Sequence, residues 1–343
     1  MTSLVEIDSL EITVIVDNEL DVMSPPAPNT VQATGLLGNI AMESPYTLCN
    51  RGDASKELRM SNICCSAHGL SAMITATKGD IKHTILFDTG PEEEVWERNA
   101  NRLRADISTI ELIHLSHWHR DHSGGMLRAI RMIREARLAK GDSNQHLVVD
   151  LHESRPDYRG FTMGTEIFSL EADPTFEEIE DAGAQVEKST SPHTVLDDMF
   201  LISGEIPRRT EYEVGLKNAV RFDKSAGKWN KDEMIADERF LACSVKGKGV
   251  VIFTGCSHAG VVNTSRHAVD LIGKDVPVYA IFGGYHLAGS EAAQIRATVM
   301  DLKALEPKML LPGHCSGWRV KHEIEQQMPG RLVPSSVGAK LAF

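Results

Sequence analysis

The run His117-Trp118-His119-Arg120-Asp121-His122 gathers three imidazoles and a carboxylate within six positions, directly after the apolar stretch Ile110 to Leu115. Side chains two apart on an extended segment leave it on the same side, so His117 and His119 are expected to meet at one point. Asp121 and His122 reach a second point nearby. Imidazole with carboxylate suits zinc, iron or manganese, and the spacing predicts the first half of a two-metal site at the end of a buried strand. Three further histidines recur in one kind of place. His258 follows GVVIFT in Thr254-Gly255-Cys256-Ser257-His258, His286 follows VPVYAIF in Gly283-Gly284-Tyr285-His286, and His314 follows KMLL in Pro312-Gly313-His314-Cys315. Each stands where an apolar strand meets a glycine-containing turn, so their side chains are expected to converge above a sheet.

The elements that must position these groups are legible in part. Residues 9–17, 66–76 and 81–87 read as strands, and Pro91 opens an acidic helix, as proline at a first helical position should. Beyond Gly124, Met126, Leu127, Ile130, Ile133 and Leu138 recur at helical spacing with basic residues between them, an amphipathic helix packed on a sheet. Another strand is expected at Leu147-Val148-Val149. The last third alternates strand and helix: strands at 249–254, 276–282 and 309–311, helices at 262–272 and 290–305. Residues 18–62, rich in Pro, Gly and Ser, read as a long irregular insertion, a lid or a wall of the substrate site. Residues 154–240 are rich in charge and poor in periodicity, with a helix expected at 172–182. The whole, residues 1–343, is read as one domain of α/β (α+β) class with two sheets flanked by helices.

Composition excludes some functions. A formal charge of -12 over 343 residues disfavours a nucleic-acid surface, which needs clustered Lys and Arg. No apolar stretch approaches the roughly 20 residues that span a bilayer. The N-terminus lacks a basic region followed by an apolar one, so no secretory signal is expected. Six sparse cysteines without framework spacing read as reduced thiols in a cytoplasmic protein. Oligomeric state is silent. A small-molecule substrate is expected, with Arg208-Arg209 either contacting an anion or simply solvated.

HxHxDH preceded by Phe87-Asp88-Thr89-Gly90 resembles the metallo-β-lactamase superfamily. Val16-Asp17-Asn18, Ala67-His68-Gly69-Leu70-Ser71, Ser203-Gly204-Glu205-Ile206-Pro207-Arg208, TGCSHAG, GGYHL and PGHCSGW are similar to the subfamily of dihydropterin-ribofuranosylaminobenzene 5′-phosphate synthase-like proteins. The resemblance spans residues 12–318 and implies an αββα sandwich. It also implies roles. His117 and His119 would bind a first metal, Asp121 and His122 a second, and Asp88 would buttress the metal loop. The family usually adds a further His to the first metal and an Asp bridging both metals in a TGD turn. Here that turn reads TGC, placing Cys256 at the Asp position, either as a thiolate ligand or as a small residue in a tight turn. His258 is expected to take the first-metal role, with His193 in Ser-Pro-His the other candidate. His314 is assigned to the second metal and His286 to catalysis beside the substrate, an assignment that a swap would reverse. His68 either faces the cleft or packs.

A metal pair about 3.5–4 Å apart lowers the pKa of bound water from about 15.7 towards 7. The expected activity is therefore metal-dependent hydrolysis of an ester, lactone, thioester, amide or phosphoester by a metal-activated hydroxide. Two divalent ions are implied, zinc first, with iron or manganese as alternatives. Asp121 would orient the hydroxide and carry its proton to the leaving group. His286, or the amides of Gly283-Gly284, would complete an oxyanion site, and the helix opening near Ser123-Gly124-Gly125 would aim its amides at an anionic group. The resemblance implies a transferase as the alternative, joining a pterin to an aminobenzene ribofuranoside. A non-enzymatic metal sensor is a third reading, opposed by the presence of Asp121, which sensing does not need.

Overall fold

The computed structural model describes residues 4–142 and 146–343. Two large mixed sheets face each other. One runs, in spatial order, Gln185–Lys188, Val148–Leu151, Ile110–His114, Ile81–Phe87, Ser71–Lys78, Ser9–Val16, Lys340–Ala342 and Gln32–Thr34. The other runs His193–Val195, Phe200–Ile202, Leu241–Val245, Gly249–Thr254, Val278–Gly284 and Met309–Gly313, with Glu6–Ile7 added beside Leu241–Val245.

Alternation along the strands divides the apolar residues among three cores. Leu10, Ile12, Val14, Ile85, Phe87 and Leu112 of the first sheet meet Val251, Phe253, Ala280 and Phe282 of the second. The neighbouring residues on the same strands point outward. Ile15, Leu86 and Ile113 pack on Trp96 and Ala100 of helix Glu93–Leu103 and on Ile130 and Ile133 of helix Met126–Ala139. Val250, Ile252 and Ile281 pack on Val262 and Ala268 of helix Val261–Ile272, on Val299 of helix Ala292–Ala304, and on Val320 and Ile324 of helix Trp318–Gln327. Strands covered on both faces read as continuous apolar runs, as GVVIFT does. Each fully buried Phe, Leu or Ile contributes about 1.5–3 kcal/mol. The layers are helix, sheet, sheet, helix: an αββα sandwich.

In both sheets the central strands that lead to the candidate ligands are parallel. Ile81–Phe87, Ile110–His114 and Val148–Leu151 run together, as do Gly249–Thr254, Val278–Gly284 and Met309–Gly313. Their carboxyl ends open on one edge of the sandwich, where open α/β sheets collect ligands.

The less legible segments contain regular structure. Between residues 18 and 62 lie the edge strand Gln32–Thr34, the helix Leu37–Glu43 and the hairpin Thr47–Arg51/Ala54–Glu57. Between 154 and 240, Glu166–Ser169, Tyr158–Met163, Ala219–Asp223 and Lys228–Lys231 form a separate four-stranded antiparallel sheet. The expected helix at 172–182 is shorter, Phe176–Asp181. It starts at Thr175, whose hydroxyl accepts from the Glu178 amide while Glu178 accepts from the Thr175 amide, a capping box. The expected strand at 66–76 begins at Ser71, because Ala67 and Gly69 are held by Asp17 and Asn18 in a loop. No helix among the described residues is long and apolar enough to cross a membrane.

Candidate metal centre

One strand end of the first sheet and two of the second build the site. Ile110–His114 runs into a loop that carries His117 and His119, and the single turn Arg120–Ser123 carries Asp121 and His122. Opposite them, Gly249–Thr254 leads to Cys256 and His258, and Met309–Gly313 to His314. The turns are sharp: Asp88, Ser257, His286 and His314 all adopt positive φ between 47° and 62°. Side chains rarely accept that region without support, and at His314 it turns the ring off the strand end toward Cys256 and Asp121.

The donor atoms converge. His117 Nε2 lies 2.9 Å from His119 Nδ1, and His258 Nε2 lies 3.2 Å from the same atom. Beside this trio, Cys256 Sγ is 3.1 Å from His122 Nε2 and 3.2 Å from His314 Nε2. His314 Nε2 is in turn 3.2 Å from Asp121 Oδ2. Asp121, His122, Cys256 and His314 form one group whose ligand atoms all lie within 4.8 Å of one another, and His117, Cys256 and His258 form another. Cys256 belongs to both.

The partners on the far side of the rings decide which nitrogens face inward. Ser116 donates its amide to Asp88 Oδ1 and its hydroxyl to Asp88 Oδ2. Its oxygen, 3.0 Å from His117 Nδ1, can then only accept, so the His117 proton sits on Nδ1 and the Nε2 lone pair points inward. His122 Nδ1 donates to Asp88 Oδ2 at 2.7 Å, and His314 Nδ1 to Asn18 Oδ1 at 2.9 Å. His117 and His314 thus turn Nε2 lone pairs toward a buried centre. Burial holds the His117 and His258 imidazoles well below their ordinary pKa, and brings His119 to about 3 and His314 to about 4. For His122 burial works in the same direction, but the negative charges of Asp121 and Asp88 prevail and push it up to about 9. Converging lone pairs beside two carboxylates and a thiol call for positive charge, and the donor set of imidazole, carboxylate and sulfur fits divalent transition ions. Asp88 holds Ser116 and His122 together through its two carboxylate oxygens.

No family model matches the sequence. The chain is 30% identical over 280 residues to 7,8-dihydropterin-6-methyl-4-(β-D-ribofuranosyl)-aminobenzene-5′-phosphate synthase of Methanocaldococcus jannaschii, a match covering 78% of this chain and 90% of that protein. It also superposes on Tm1679, a metal-dependent hydrolase of the β-lactamase superfamily, with a TM-score of 0.66 and 20% identity over 97% of this chain and 98% of that one. The chain belongs to the family of that synthase and has the metallo-β-lactamase fold.

Within this fold, the structure brings together His117, His119, Asp121, His122, Cys256, His258 and His314. His286 stands beside His258. Its ring centroid is 4.5 Å from that of His258, and with His258, Glu213 and Gln294 it lines a cavity of about 30 Å³. That volume is enough for an ordered water. His68 stands at the rim, largely exposed, with Nε2 3.4 Å from Asp121 Oδ2.

Several expectations are corrected. His193 is not at the centre: its Nε2 pairs with Asp150 Oδ2 at 2.8 Å and its Nδ1 faces the Ser191 carbonyl. Arg208 is spent on the carbonyls of His258 and Met234, and Arg209 on Asp270, so the pair offers no ready anion contact. The amides of Gly124 and Gly125 donate to the Arg120 and Gly90 carbonyls, and that of Gly284 to the Gly255 carbonyl. These backbone donors are occupied and do not build an oxyanion site.

Supporting residues that sequence reasoning missed come from 154–240. Asp237 accepts from the Trp118 amide at 2.8 Å, and Arg159 donates to the Trp118 carbonyl and to Asp237, so the residue between His117 and His119 is clamped at both backbone groups. Glu238, fully buried, accepts from the amides of His258 and Ala259 at 2.8 and 2.6 Å. This grip orients His258, whose Nδ1 is buried without a hydrogen-bond partner among the described residues. The signal was the run Asp237-Glu238-Arg239 entering the apolar strand that begins at Leu241. Charges there must be paired to be buried.

Proposed function

We propose that the protein is a binuclear metallohydrolase acting on a small-molecule ester, lactone, thioester or phosphoester. His117, His119 and His258 would hold one divalent ion and Asp121, His122 and His314 the other, with Cys256 reaching both. Zinc is the first choice, with iron or manganese as alternatives. Ions there would supply Lewis acidity toward a carbonyl or phosphoryl oxygen and make water nucleophilic at neutral pH.

The observation that carries this reading is the place of Asp121. Its Oδ2 is 3.2 Å from His314 Nε2 and 3.7 Å from His122 Nε2, while its side chain remains 22% exposed, between the buried donors and the opening. Burial alone would raise its pKa, but His122 and His314 outweigh it and hold the group well below the ordinary carboxylate range. An ionised carboxylate at that position can take a proton from attacking water at Oδ2 and return it to the leaving group. His258 and His286 wall the opposite side. The acidic chain supports a small-molecule substrate over nucleic acid, and its free thiols support a cytoplasmic location.

A second reading is supported by the 30% identical synthase: transfer of a pterin-bearing carbon to an aminobenzene ribofuranoside, with metals stabilising a departing pyrophosphate. Elemental analysis beside the Asp121→Ala, His122→Ala double variant tests both readings. About two ions per chain are expected, falling to about one or none in the variant. Metal-loaded protein is then offered chromogenic esters, lactones and phosphodiesters without any pterin. Turnover that the double variant loses supports the hydrolase. Turnover only with a pterin pyrophosphate and an aminobenzene acceptor supports the transferase, and no bound metal overturns both.

A further inference from the structure

Asn18 closes the end of the strand Ser9–Val16 beside the metal centre. Its carboxamide makes three hydrogen bonds, and together they leave no freedom. The Gly69 amide reaches one side-chain atom at 3.0 Å, and since a backbone N–H can only donate, that atom is Oδ1. The same Oδ1 lies 2.9 Å from His314 Nδ1, so it accepts there and the His314 proton is on Nδ1. The other end of the carboxamide, Nδ2, lies 3.0 Å from His68 Nδ1 and must donate, so neutral His68 carries its proton on Nε2.

Opposite tautomers follow for two rings whose centroids are 5.0 Å apart. His314 presents a bare Nε2, 3.2 Å from both Cys256 Sγ and Asp121 Oδ2. His68 presents an N–H, 3.4 Å from that same Asp121 oxygen. One histidine is thereby made a ligand and the other a donor, on either side of the carboxylate between them. Aspartate at position 18 would keep the acceptor for Gly69 and His314 and lose the donor for His68. Serine has one proton and too short a reach, and glutamine is one carbon too long. The backbone beneath is braced as well: Asp17 accepts from the His314 amide and from the Ser335 hydroxyl.

We infer that Asn18 is a positioning residue of this centre, setting His314 as a ligand and His68 as a hydrogen-bond donor to Asp121 by dictating complementary tautomers. The inference rests on the proposed metal centre for its consequence and on hydrogen-bond chemistry alone for its signature. Nitrogen-15 NMR of histidine-labelled, metal-free protein at pH 9 reads the tautomers directly. The wild type is expected to show His314 protonated on Nδ1 and His68 on Nε2. In Asn18→Asp, which keeps the side chain's volume, His314 keeps its tautomer while His68 moves its proton to Nδ1. In Asn18→Ala both rings lose their preference, and zinc or manganese affinity falls by about ten- to a hundredfold, the usual cost of losing a partner behind a metal-binding histidine. His68 unchanged in Asn18→Asp, or unaltered metal affinity in Asn18→Ala, would overturn the inference. If the metal reading itself fails, no ion binds to wild type, yet the tautomer pattern persists. The two failures are therefore distinguishable.

Discussion

At the scale of single residues, Cys256 is the departure that matters most. The superfamily resemblance leads one to expect an acidic residue in that turn, bridging two metals. A thiol stands there instead, with Sγ within 3.2 Å of two imidazole nitrogens and common to both candidate ligand groups. Sulfur is larger and softer than a carboxylate oxygen and favours zinc or iron over manganese. Without a cation, burial holds the thiol protonated, its pKa well above the usual value; a bound ion reverses this by deprotonating it. Cys256→Ala is therefore expected to loosen both ions by at least tenfold, on the scale of losses that even outer partners produce. His122→Ala should loosen only one. Metal content followed through a chelator titration separates the two patterns, and a Cys256→Ala curve that overlays the wild type reduces Cys256 to a small residue in a tight turn.

At the scale of elements, the edge strand His193–Val195 and the lead into Leu241–Val245 of the second sheet are tied to the first by a buried charge network. Arg239 donates to Asp150 Oδ1 at 2.6 Å and to the carbonyl of Leu115, just before the metal loop. Asp150 Oδ2 meets His193 Nε2, while His193 Nδ1 meets a carbonyl, so both imidazole nitrogens face acceptors. The Asp150 hydrogen bond, against the opposing effect of partial burial, raises the His193 pKa above 6.5. The folded state thus binds the proton more tightly than the unfolded chain. The resulting stability is fully present below pH 6.5 and is lost as pH rises through the folded pKa. Urea denaturation from pH 5.5 to 9 should show the margin of wild type over His193→Gln shrinking with rising pH; a constant margin would remove His193 from the network's pH response. Such pairings were hidden in the sequence because they join residues 43 and 89 positions apart, with no local pattern. The strand-end histidines were legible because each closes an apolar run at a glycine turn, a local signal. Asn18 and Glu238 were not, since a side chain that holds a ligand's backbone or distal nitrogen needs no particular spacing. Residues 154–240 hid their sheet for a related reason: Tyr158–Met163 and Ala219–Asp223 pair across some sixty residues, and Glu166–Ser169 is exposed on both faces, so neither strand alternates cleanly.

At the scale of the whole molecule, the candidate ligands are divided between the two sheets. His117, His119, Asp121 and His122 follow a strand of one, while Cys256, His258 and His314 follow strands of the other. The central core joins these sheets by apolar contact, typified by Phe87 and Phe253 at 6.2 Å between ring centres. At the open edge that core gives way to imidazoles, carboxylates and a thiol. Ions bound there would act as a clasp across the sandwich and belong to the folded state only. An ion at a hundred times its dissociation constant stabilises the fold by about 2.7 kcal/mol. For a chain of this size that corresponds to roughly a few degrees in Tm. Chelation is thus expected to lower the unfolding temperature of the wild type, and returning zinc or manganese to restore it. In the Asp121→Ala, His122→Ala variant the chelator should shift Tm by half as much or less, because one of the two proposed sites would already be lost. A wild-type Tm indifferent to chelator would mean that the layers close without metal.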